Sequence, residues 1–306
     1  MEGKRPLKVG LYIPNGDGIM GGGNGRWHDV RAIAQRAEEV GFDSVWVADH
    51  VLFRFPDEAP QGRWECWSLL AALAATTERI EIGPLVSCMS FRNPAMLAKI
   101  AESVDEISGG RLILGLGAGW HEPEYTAYGY PFDHRVSRFE DGLQIVHGLL
   151  RNGLVTFEGA YERAVDCELR PRGPRPGAIQ LMIGSNGERM LRLTARYADL
   201  WNTTWVSDAA QLAPKIAAVE AACEAVGRDP ATLGRTACVL VDFPQHVGRF
   251  NWAKPVPPPP REPEAIADVL RGFATAGINH IMIWPDPSTL AGVEAMAPVL
   301  ELLDRG

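Results

Sequence analysis

Gly110 to Tyr125 read Gly-Arg-Leu-Ile-Leu-Gly-Leu-Gly-Ala-Gly-Trp-His-Glu-Pro-Glu-Tyr. The stretch is apolar at first, then rich in glycine, and it ends in a cluster of aromatic, acidic and histidine side chains. This order predicts a buried strand whose carboxyl end faces a ligand, because glycines let the backbone come close to a flat or phosphorylated group. Stacking, proton transfer and hydrogen bonding are offered there by Trp120, His121, Glu124 and Tyr125. A purely structural strand does not need that combination.

Short runs rich in β-branched residues alternate with amphipathic stretches along the whole chain, a pattern typical of parallel strands joined by helices. Strands are predicted at 8–13, 44–48, 80–86, 112–116, 179–184, 200–203, 236–242 and 278–284. Helices are predicted at 27–40, 67–77, 94–107, 136–150, 188–197, 209–226, 264–276 and 290–303. This strict alternation predicts an α/β fold, a single (β/α)8 TIM barrel that forms one domain over residues 1–306.

Two segments interrupt the alternation and are interpreted as insertions after the fourth and seventh strands. Residues 154–177 are expected to form an extended excursion with a Pro/Arg-rich end, and residues 243–263 a proline-rich arm. A glycine-rich loop at 16–25 follows the first strand and contains the pattern Gly-x-Gly-x-x-Gly. Its third glycine does not open a helix, so a flap is favoured over a dinucleotide site.

Composition limits the classes of partner. The 306 residues carry a net charge of −8, and an acidic surface disfavours nucleic acid and anionic membranes. The five cysteines are widely spaced without a Cys-x-x-Cys pair, so reduced thiols are expected rather than a disulfide framework. Because residues 1–6 also lack a signal-peptide pattern, the sequence predicts a soluble, cytoplasmic protein that acts on a small molecule.

Asp49 and His50 directly follow the second predicted strand, at the end where barrel enzymes keep their catalytic groups. Histidine titrates near neutral pH and can therefore accept or donate a proton during turnover, and Asp49 is a candidate to orient the ring. The alternative is an Asp-His pair that only caps the next segment. Catalysis by His50 is favoured because the carboxyl ends of barrel strands usually carry functional residues.

At two further strand ends, the sequence fits a ligand site and an ordinary loop equally well. The segment 85–88 ends the third strand with small or polar residues, which suit either a planar ring or a plain loop. The segment 184–187 precedes a helix, and its exposed backbone N–H groups suit a phosphate. It suits equally well an N-cap formed by Ser185 or Asn186.

A metal site is not expected. His121-x-x-Glu124 and the pair Asp49-His50 offer ligand types. However, the first strand lacks the His-x-His of metal-dependent barrel hydrolases.

Several stretches resemble the luciferase-like flavin-dependent oxidoreductases, and among them the group that uses the deazaflavin F420. The resemblance covers nearly the whole barrel, and its most specific part is the stretch 108–125. It is also carried by 44–50, 92–94, 138–140, 184–185 and 198–201. The resemblance implies a (β/α)8 barrel of the bacterial-luciferase type, a cofactor ring at the barrel mouth, and a homodimer. The implied cofactor is coenzyme F420, with FMN as the alternative.

The resemblance also implies roles for individual residues. His50 matches the active-site histidine beside the ring. A non-prolyl cis peptide often lies under the ring in such proteins, and Leu85-Val86 is the matching pair. Contacts to the cofactor are implied for Asp49, Leu85, Val86, Ala118, Gly119, His121, Glu124 and Arg138, and contacts to its phosphate for Gly184, Ser185 and Gly187.

One position departs from the sugar and alcohol dehydrogenases of this family. They carry a glutamate directly after the Gly-x-Gly of the fourth strand, where this chain has Trp120. The second acidic group is then absent or supplied from elsewhere, with His121 and Glu122 as candidates. The resemblance implies an oxidoreductase that moves a hydride between F420 and a small organic substrate, with His50 as acid or base. The nearest alternative is a monooxygenase that uses FMN and oxygen, followed by a metal-dependent hydrolase and a non-catalytic flavin binder.

Overall fold

The computed structural model describes residues 5–20, 23–204, 206, 208–243 and 262–305. Its strands are, in chain order, β1 (Lys8–Ile13), β2 (Ser44–Val47), β3 (Leu52–Phe53), β4 (Gln61–Gly62), β5 (Glu81–Pro84), β6 (Ser87–Cys88), β7 (Ile113–Gly117), β8 (Leu154–Glu158), β9 (Arg163–Glu168), β10 (Gln180–Gly184), β11 (Leu200–Thr203), β12 (Gly234–Asp242) and β13 (His280–Asp286). Its helices are α1 (Trp27–Val40), α2 (Cys66–Thr76), α3 (Pro94–Ile107), α4 (Glu122–Tyr128), α5 (Arg135–Asn152), α6 (Glu188–Tyr197), α7 (Ala213–Ala225), α8 (Pro263–Thr275) and α9 (Leu290–Asp304).

Each strand and helix expected from the alternation overlaps an observed element of the same type. Local chemistry explains some of the boundaries. Asn93 caps α3 by accepting a hydrogen bond from the backbone N–H of Met96, and Pro94 occupies the first helical position, where its missing N–H costs nothing. Glu65 caps α2 by accepting from the N–H groups of Trp67 and Ser68. The predicted arm at 243–263 lies mostly outside the described residues, at 244–261.

Two short features were not predicted from the sequence. The strands β3 and β4 form a small antiparallel hairpin directly after His50. Helix α4 begins at Glu122, within the side-chain cluster that follows the fourth predicted strand. Segments of two to seven residues are too short for hydrophobic periodicity to reveal them.

The chain forms two compact units, Met1–Trp46 with Gly184–Gly306, and Val47–Ile183. In the first unit, β1 pairs with β13, β13 with β12, and β12 with β11, all in parallel. In the second unit, β7 pairs in parallel with β10 and with β6. Parallel pairing throughout these ladders agrees with strands joined by crossover helices.

The glycines of β7 make room for a neighbouring segment of the second unit. A Cβ on Gly115 would lie 2.3 Å from the carbonyl oxygen of Pro84, and a Cβ on Gly117 would lie 2.6 Å from Cγ2 of Val86. No side chain fits at such distances. These two glycines are therefore required by packing inside the protein, in addition to any approach of a ligand.

The excursion at 154–177 is a hairpin with an anchored tail. Strands β8 and β9 pair antiparallel, and the tail that follows is held against α3 by two ion pairs. Arg172 Nε donates to Oε1 of Glu102 over 3.0 Å. Arg175 Nη2 donates to Oδ1 of Asp105 over 2.7 Å. Because both carboxylates are buried, the arginines supply the counter-charges that these carboxylates need.

A buried polar chain lies in the first unit. Trp46 Nε1 donates to Oγ of Ser44 over 2.7 Å, and the same Oγ lies 2.7 Å from Nε2 of His280. Ser44 therefore accepts from the indole and donates to an unprotonated imidazole nitrogen. Burial lowers the pKa of His280 to about 3, so this ring is neutral at physiological pH.

Candidate active site

His50 pairs with a carboxylate of α4. Its Nδ1 lies 2.8 Å from Oε1 of Glu124, whose carboxylate is buried. The other oxygen of Glu124 accepts from the backbone N–H of Val51 over 3.0 Å. A carboxylate can only accept, so Nδ1 of His50 carries a hydrogen; in the neutral tautomer that this contact selects, Nε2 carries the lone pair. Among the described residues, Nε2 has no hydrogen-bond partner.

Asp49 does not orient His50, contrary to one expectation from the sequence. Its Oδ2 accepts from the backbone N–H of Cys88 over 2.9 Å and from Oγ of Ser87 over 3.0 Å. Both of its oxygens also accept from the guanidinium of Arg92, at 2.6 and 2.9 Å. The Asp49 carboxylate thus ties the residue before His50 to β6 and to the start of α3. Its contact with a cofactor stays a prediction.

Arg92 is a residue of this site to which sequence reasoning assigned no role. Besides its two hydrogen bonds to Asp49, the Arg92 guanidinium donates to Oε1 of Glu65 over 2.5 Å. These three charged groups come from three different connections, and nothing in their local sequence indicates that they meet. The position of Arg92 two residues before Pro94 was part of the resemblance, and that was the only available signal.

His121 and Glu124 act together on the backbone that follows His50. His121 Nε2 accepts from the N–H of Arg54 over 3.0 Å, as Glu124 accepts from Val51. Burial lowers the pKa of His121, which keeps Nε2 unprotonated and able to accept. The His-x-x-Glu pattern, first considered as metal ligands, is therefore a pair of acceptors that hold the segment 51–54 in place.

Aromatic rings surround His50 in the second unit. The Phe53 ring centroid lies 4.3 Å from that of His50, and Trp120 meets His50 edge-on at 5.6 Å. Phe53 also contacts Phe55 at 5.8 Å and His121 at 5.3 Å. Phe53 and His121 are buried, whereas the Trp120 side chain is half exposed. The histidine thus packs against an aromatic wall formed by Phe53 and Trp120, in which the indole of Trp120 is half exposed.

Gly119 owes its identity to Tyr125. It has a φ of +76°, a left-handed conformation that favours glycine. A Cβ there would lie 1.8 Å from the Tyr125 hydroxyl and 2.8 Å from Sγ of Cys88. That hydroxyl donates to the carbonyl of Ala118 over 3.0 Å and lies 2.9 Å from Sγ of Cys88. Burial raises the pKa of the Cys88 thiol to about 12, so it is an unreactive thiol.

Leu85, Val86, Ala118 and Gly119 share one property. They are partly exposed residues without ionisable side chains, and they follow β5 and β7 in the second unit. The peptide bond between Leu85 and Val86 is cis, as the resemblance implies. Arg138 lies near the start of α5 in the same unit, and its contact with a cofactor stays a prediction. Its guanidinium contacts Asp133 and covers the Tyr161 ring at 4.6 Å.

The segment 184–187 belongs to the first unit. Ser185 Oγ lies 2.8 Å from Oγ1 of Thr194, and its carbonyl accepts from Nε1 of Trp201. Gly187 is the residue that caps α6, without a side-chain hydrogen bond to the first turn. The alternative expectation of a Ser185 or Asn186 cap is therefore wrong.

Two properties of the described residues bear on other classes of function. No group of three or more His, Cys, Asp and Glu side chains in these ranges is arranged to hold a metal ion. No helix in the same ranges is both long and apolar enough to cross a membrane.

The model of the luciferase-like monooxygenase family matches residues 7–245. The chain belongs to this family. The matched range includes His50, the aromatic wall and the Glu124 carboxylate. These features therefore belong to the part of the chain that matches the luciferase-like family.

Two curated relatives illustrate the range of this luciferase-like family. The chain is 34% identical to an F420-dependent glucose-6-phosphate dehydrogenase of Amycolatopsis mediterranei over 56% of this chain and 51% of that protein. It is 31% identical to the pyrimidine monooxygenase RutA of Cronobacter sakazakii over 72% of this chain and 67% of that protein. The chain spans about half the length of two of the curated relatives that it matches.

A solved structure shows the same fold. An F420-dependent secondary alcohol dehydrogenase in complex with an F420-acetone adduct matches with a TM-score of 0.80 at 20% identity, and the match covers 99% of each chain. The expected fold class, an α/β barrel of the luciferase-like type, is confirmed by this likeness.

Proposed function

We propose that this chain is an oxidoreductase that transfers a hydride between F420 and a small organic substrate, with His50 as the acid or base. The observation that carries the proposal is the His50–Glu124 pair. A buried carboxylate holds Nδ1 over 2.8 Å, and Nε2 is left without a partner among the described residues. Nε2 is thereby prepared to take a proton from a hydroxyl group or to return one to a carbonyl oxygen.

Glu124 supports this step in two ways. It fixes the tautomer, because the carboxylate accepts only from a protonated Nδ1. It also stabilises the imidazolium that forms when Nε2 takes a proton, because a buried anion attracts the new charge strongly. Asp49 and Arg92 contribute by holding the residue next to His50 at the end of β2.

The residues of the second unit fit a flat redox cofactor. When bound, F420 supplies or accepts the hydride. Leu85, Val86, Ala118 and Gly119 are partly exposed and carry no charge that would have to be desolvated beneath an apolar ring. The proposed contacts of Asp49, His121 and Glu124 then act from the same unit. In the first unit, the helix N-terminus of α6, where the N-cap residue is Gly187, supports Gly184, Ser185 and Gly187 as a proposed phosphate site.

Two titrations and one variant test the proposal. Purified protein is titrated with F420 and separately with FMN, and fluorescence reports binding. We expect saturable binding of F420, and turnover in His50→Gln that falls by about 100-fold or more while F420 binding is kept. Binding of FMN without binding of F420 would overturn the proposed cofactor. Unchanged turnover in His50→Gln would overturn the role of His50.

The similarity to RutA favours a second candidate function, an FMN-dependent monooxygenase. In that case the same His50–Glu124 pair would serve proton transfer during oxygen chemistry. Oxygen consumption that depends on substrate and FMN would identify this candidate, whereas F420-linked turnover under anaerobic conditions would contradict it.

The expected homodimer and the cytoplasmic location are further parts of the proposal. Light scattering coupled to size-exclusion chromatography tests the dimer, and a monomeric mass would contradict it. Fractionation of producing cells tests the location.

A further inference from the structure

We infer that the substrate site beside His50 takes a compound with a flat apolar group, which packs against the exposed indole of Trp120. This inference rests on the proposed function, because it takes His50 as the group next to the reacting atoms. It deepens that function by naming the substrate class, an uncharged aromatic or ring-bearing ketone or alcohol rather than a phosphorylated sugar.

The first observation is the exposure of Trp120. Its side chain is 53% exposed, although it lies edge-on to His50 at 5.6 Å and contacts Phe53 at 6.1 Å. The indole also meets the His121 ring edge-on at 5.1 Å, so three neighbouring rings hold it in place. Exposed apolar surface gains free energy when a ligand covers it, and a second ring adds the attraction of an aromatic pair. An indole held in this way is therefore ready to stack on a ligand.

The second observation concerns the charges near His50. The Glu124 carboxylate is buried and accepts hydrogen bonds through both oxygens. Arg92 is bound by Asp49 and Glu65. The Arg63 guanidinium covers the Phe53 ring at 4.8 Å and donates to Gln61. A phosphate needs hydrogen-bond donors directed at it. The Arg92 and Arg63 guanidinium groups instead already bind acceptors or cover an aromatic ring, which disfavours a phosphorylated substrate.

The positive charge of Arg54 argues for a different substrate class, an anion. Its side chain is exposed and lies next in sequence to Phe53. An anionic substrate held by Arg54 is therefore the rival that the experiment has to separate from an apolar one.

The test compares three probes by calorimetry on the purified protein saturated with F420. Acetophenone carries a flat ring, acetone is a ketone without one, and glucose 6-phosphate is the anionic rival. The variants are Trp120→Ala, Trp120→Phe and, as matched control, Tyr128→Ala. Tyr128 is an equally exposed aromatic residue of α4, at 55%, and no ring contact joins it to the His50 cluster within the described ranges.

We expect acetophenone to bind the wild type more tightly than acetone. Trp120→Ala should weaken acetophenone binding by about tenfold, while Trp120→Phe restores most of it. Acetone binding should change little in any variant, and Tyr128→Ala should behave as the wild type. Saturable binding of glucose 6-phosphate that is lost in Arg54→Ala would overturn the inference. So would acetophenone binding that is absent, or that is equal in the wild type and Trp120→Ala. Lack of F420 binding instead overturns the proposed function, and acetophenone titrated into the protein alone still decides the role of Trp120.

Discussion

Nδ1 of His50 lies 2.8 Å from Oε1 of Glu124, although 74 positions separate the two residues in the chain. The contact joins the end of β2 to the first turn of α4. It gives this partly buried histidine a defined tautomer and one available nitrogen. The predictions below begin with this pair.

Glu124→Gln should lower turnover by about 100-fold or more, because the acid or base loses its anionic partner. Both Glu124 oxygens act as acceptors, so the glutamine NH2 must face a donor, either His50 or a backbone N–H. Steady-state kinetics measures kcat and KM, and fluorescence checks that F420 binding is retained. The matched variant is Glu122→Gln, on the same helix but exposed. A larger loss in Glu122→Gln would assign the supporting carboxylate to Glu122.

His121→Phe should loosen the segment after His50 without removing the aromatic packing. Phenylalanine keeps a ring beside Phe53 and Phe55 but offers no acceptor to the Arg54 N–H. A lost hydrogen bond of about 1 kcal/mol corresponds to roughly fivefold faster amide exchange. Hydrogen exchange at Arg54 measures this. Because burial lowers the pKa of His121, the wild type should lose the same protection at Arg54 only in acid, when exchange is expressed relative to the intrinsic rate at each pH. Equal exchange in both proteins at neutral pH would contradict the contact.

Gly119→Ala should destabilise the protein through a clash with the Tyr125 hydroxyl as well as through its backbone conformation. Gly129 separates the two effects, because it has a φ of +77° and nothing within 4 Å of an added Cβ. We expect Gly129→Ala to cost about 1 kcal/mol from the left-handed conformation alone. Gly119→Ala should cost a further 1–3 kcal/mol, roughly, from overpacking. Urea unfolding measures both, and equal losses would exclude the clash.

Arg175→Met should cost about 3 kcal/mol of unfolding free energy, because it leaves the buried Asp105 carboxylate without its counter-charge. Arg170→Met is the matched change in the same tail. The Arg170 side chain is 81% exposed and pairs with the half-exposed Glu168, and such surface pairs contribute about 0–1 kcal/mol. Urea unfolding of both variants gives the comparison. A smaller loss for Arg175→Met than for Arg170→Met would contradict the anchoring of the tail on α3.

His280 should make the fold less stable as the pH falls. Burial lowers its pKa to about 3, whereas the unfolded chain takes up this proton near the ordinary value of about 6.5. Between these values the unfolded state binds one more proton, so stability decreases with falling pH by about 1.4 kcal/mol per pH unit. Above the ordinary value this contribution is fully present.

The pH prediction is measured by urea unfolding at pH 7 and pH 5. The wild type should lose about 2 kcal/mol from His280 over this interval. His280→Gln should be less stable than the wild type at pH 7 but show a smaller loss on acidification. His28, whose side chain is 69% exposed, supplies the control, and His28→Gln should keep the wild-type pH dependence. An unchanged pH dependence in His280→Gln would contradict a neutral buried ring.

Much of the candidate site could be predicted from the sequence as a set of residues, but not as a set of contacts. His50 was identified by its place after a strand, and Glu124 by its place in a family motif. Their pairing was not, and Asp49 was given the role that Glu124 has. The reason is physical: Asp49 is the neighbour of His50 in the chain, but successive side chains at a strand end point in different directions.

The glycines at positions 115, 117 and 119 show the same limit of prediction from sequence. Their pattern indicated a close approach, and a close approach is what the structure shows. The approaching atoms belong to Pro84, Val86 and Tyr125. A glycine in a sequence states that space is needed beside the backbone, but it does not name the group that occupies that space.

The sequence by itself determined the order of strands and helices, because that order depends on periodicity and end signals within single segments. It also determined the family, since the long motif at 108–125 is continuous. Only the tertiary structure decided which acceptors meet His50, Arg54 and Arg92. Those contacts join residues that are tens of positions apart, and they depend on the register and crossing of packed elements, which no local pattern encodes. The stretch from Gly110 to Tyr125 thus supplies Glu124 and Trp120, while their partner His50 comes from the end of β2.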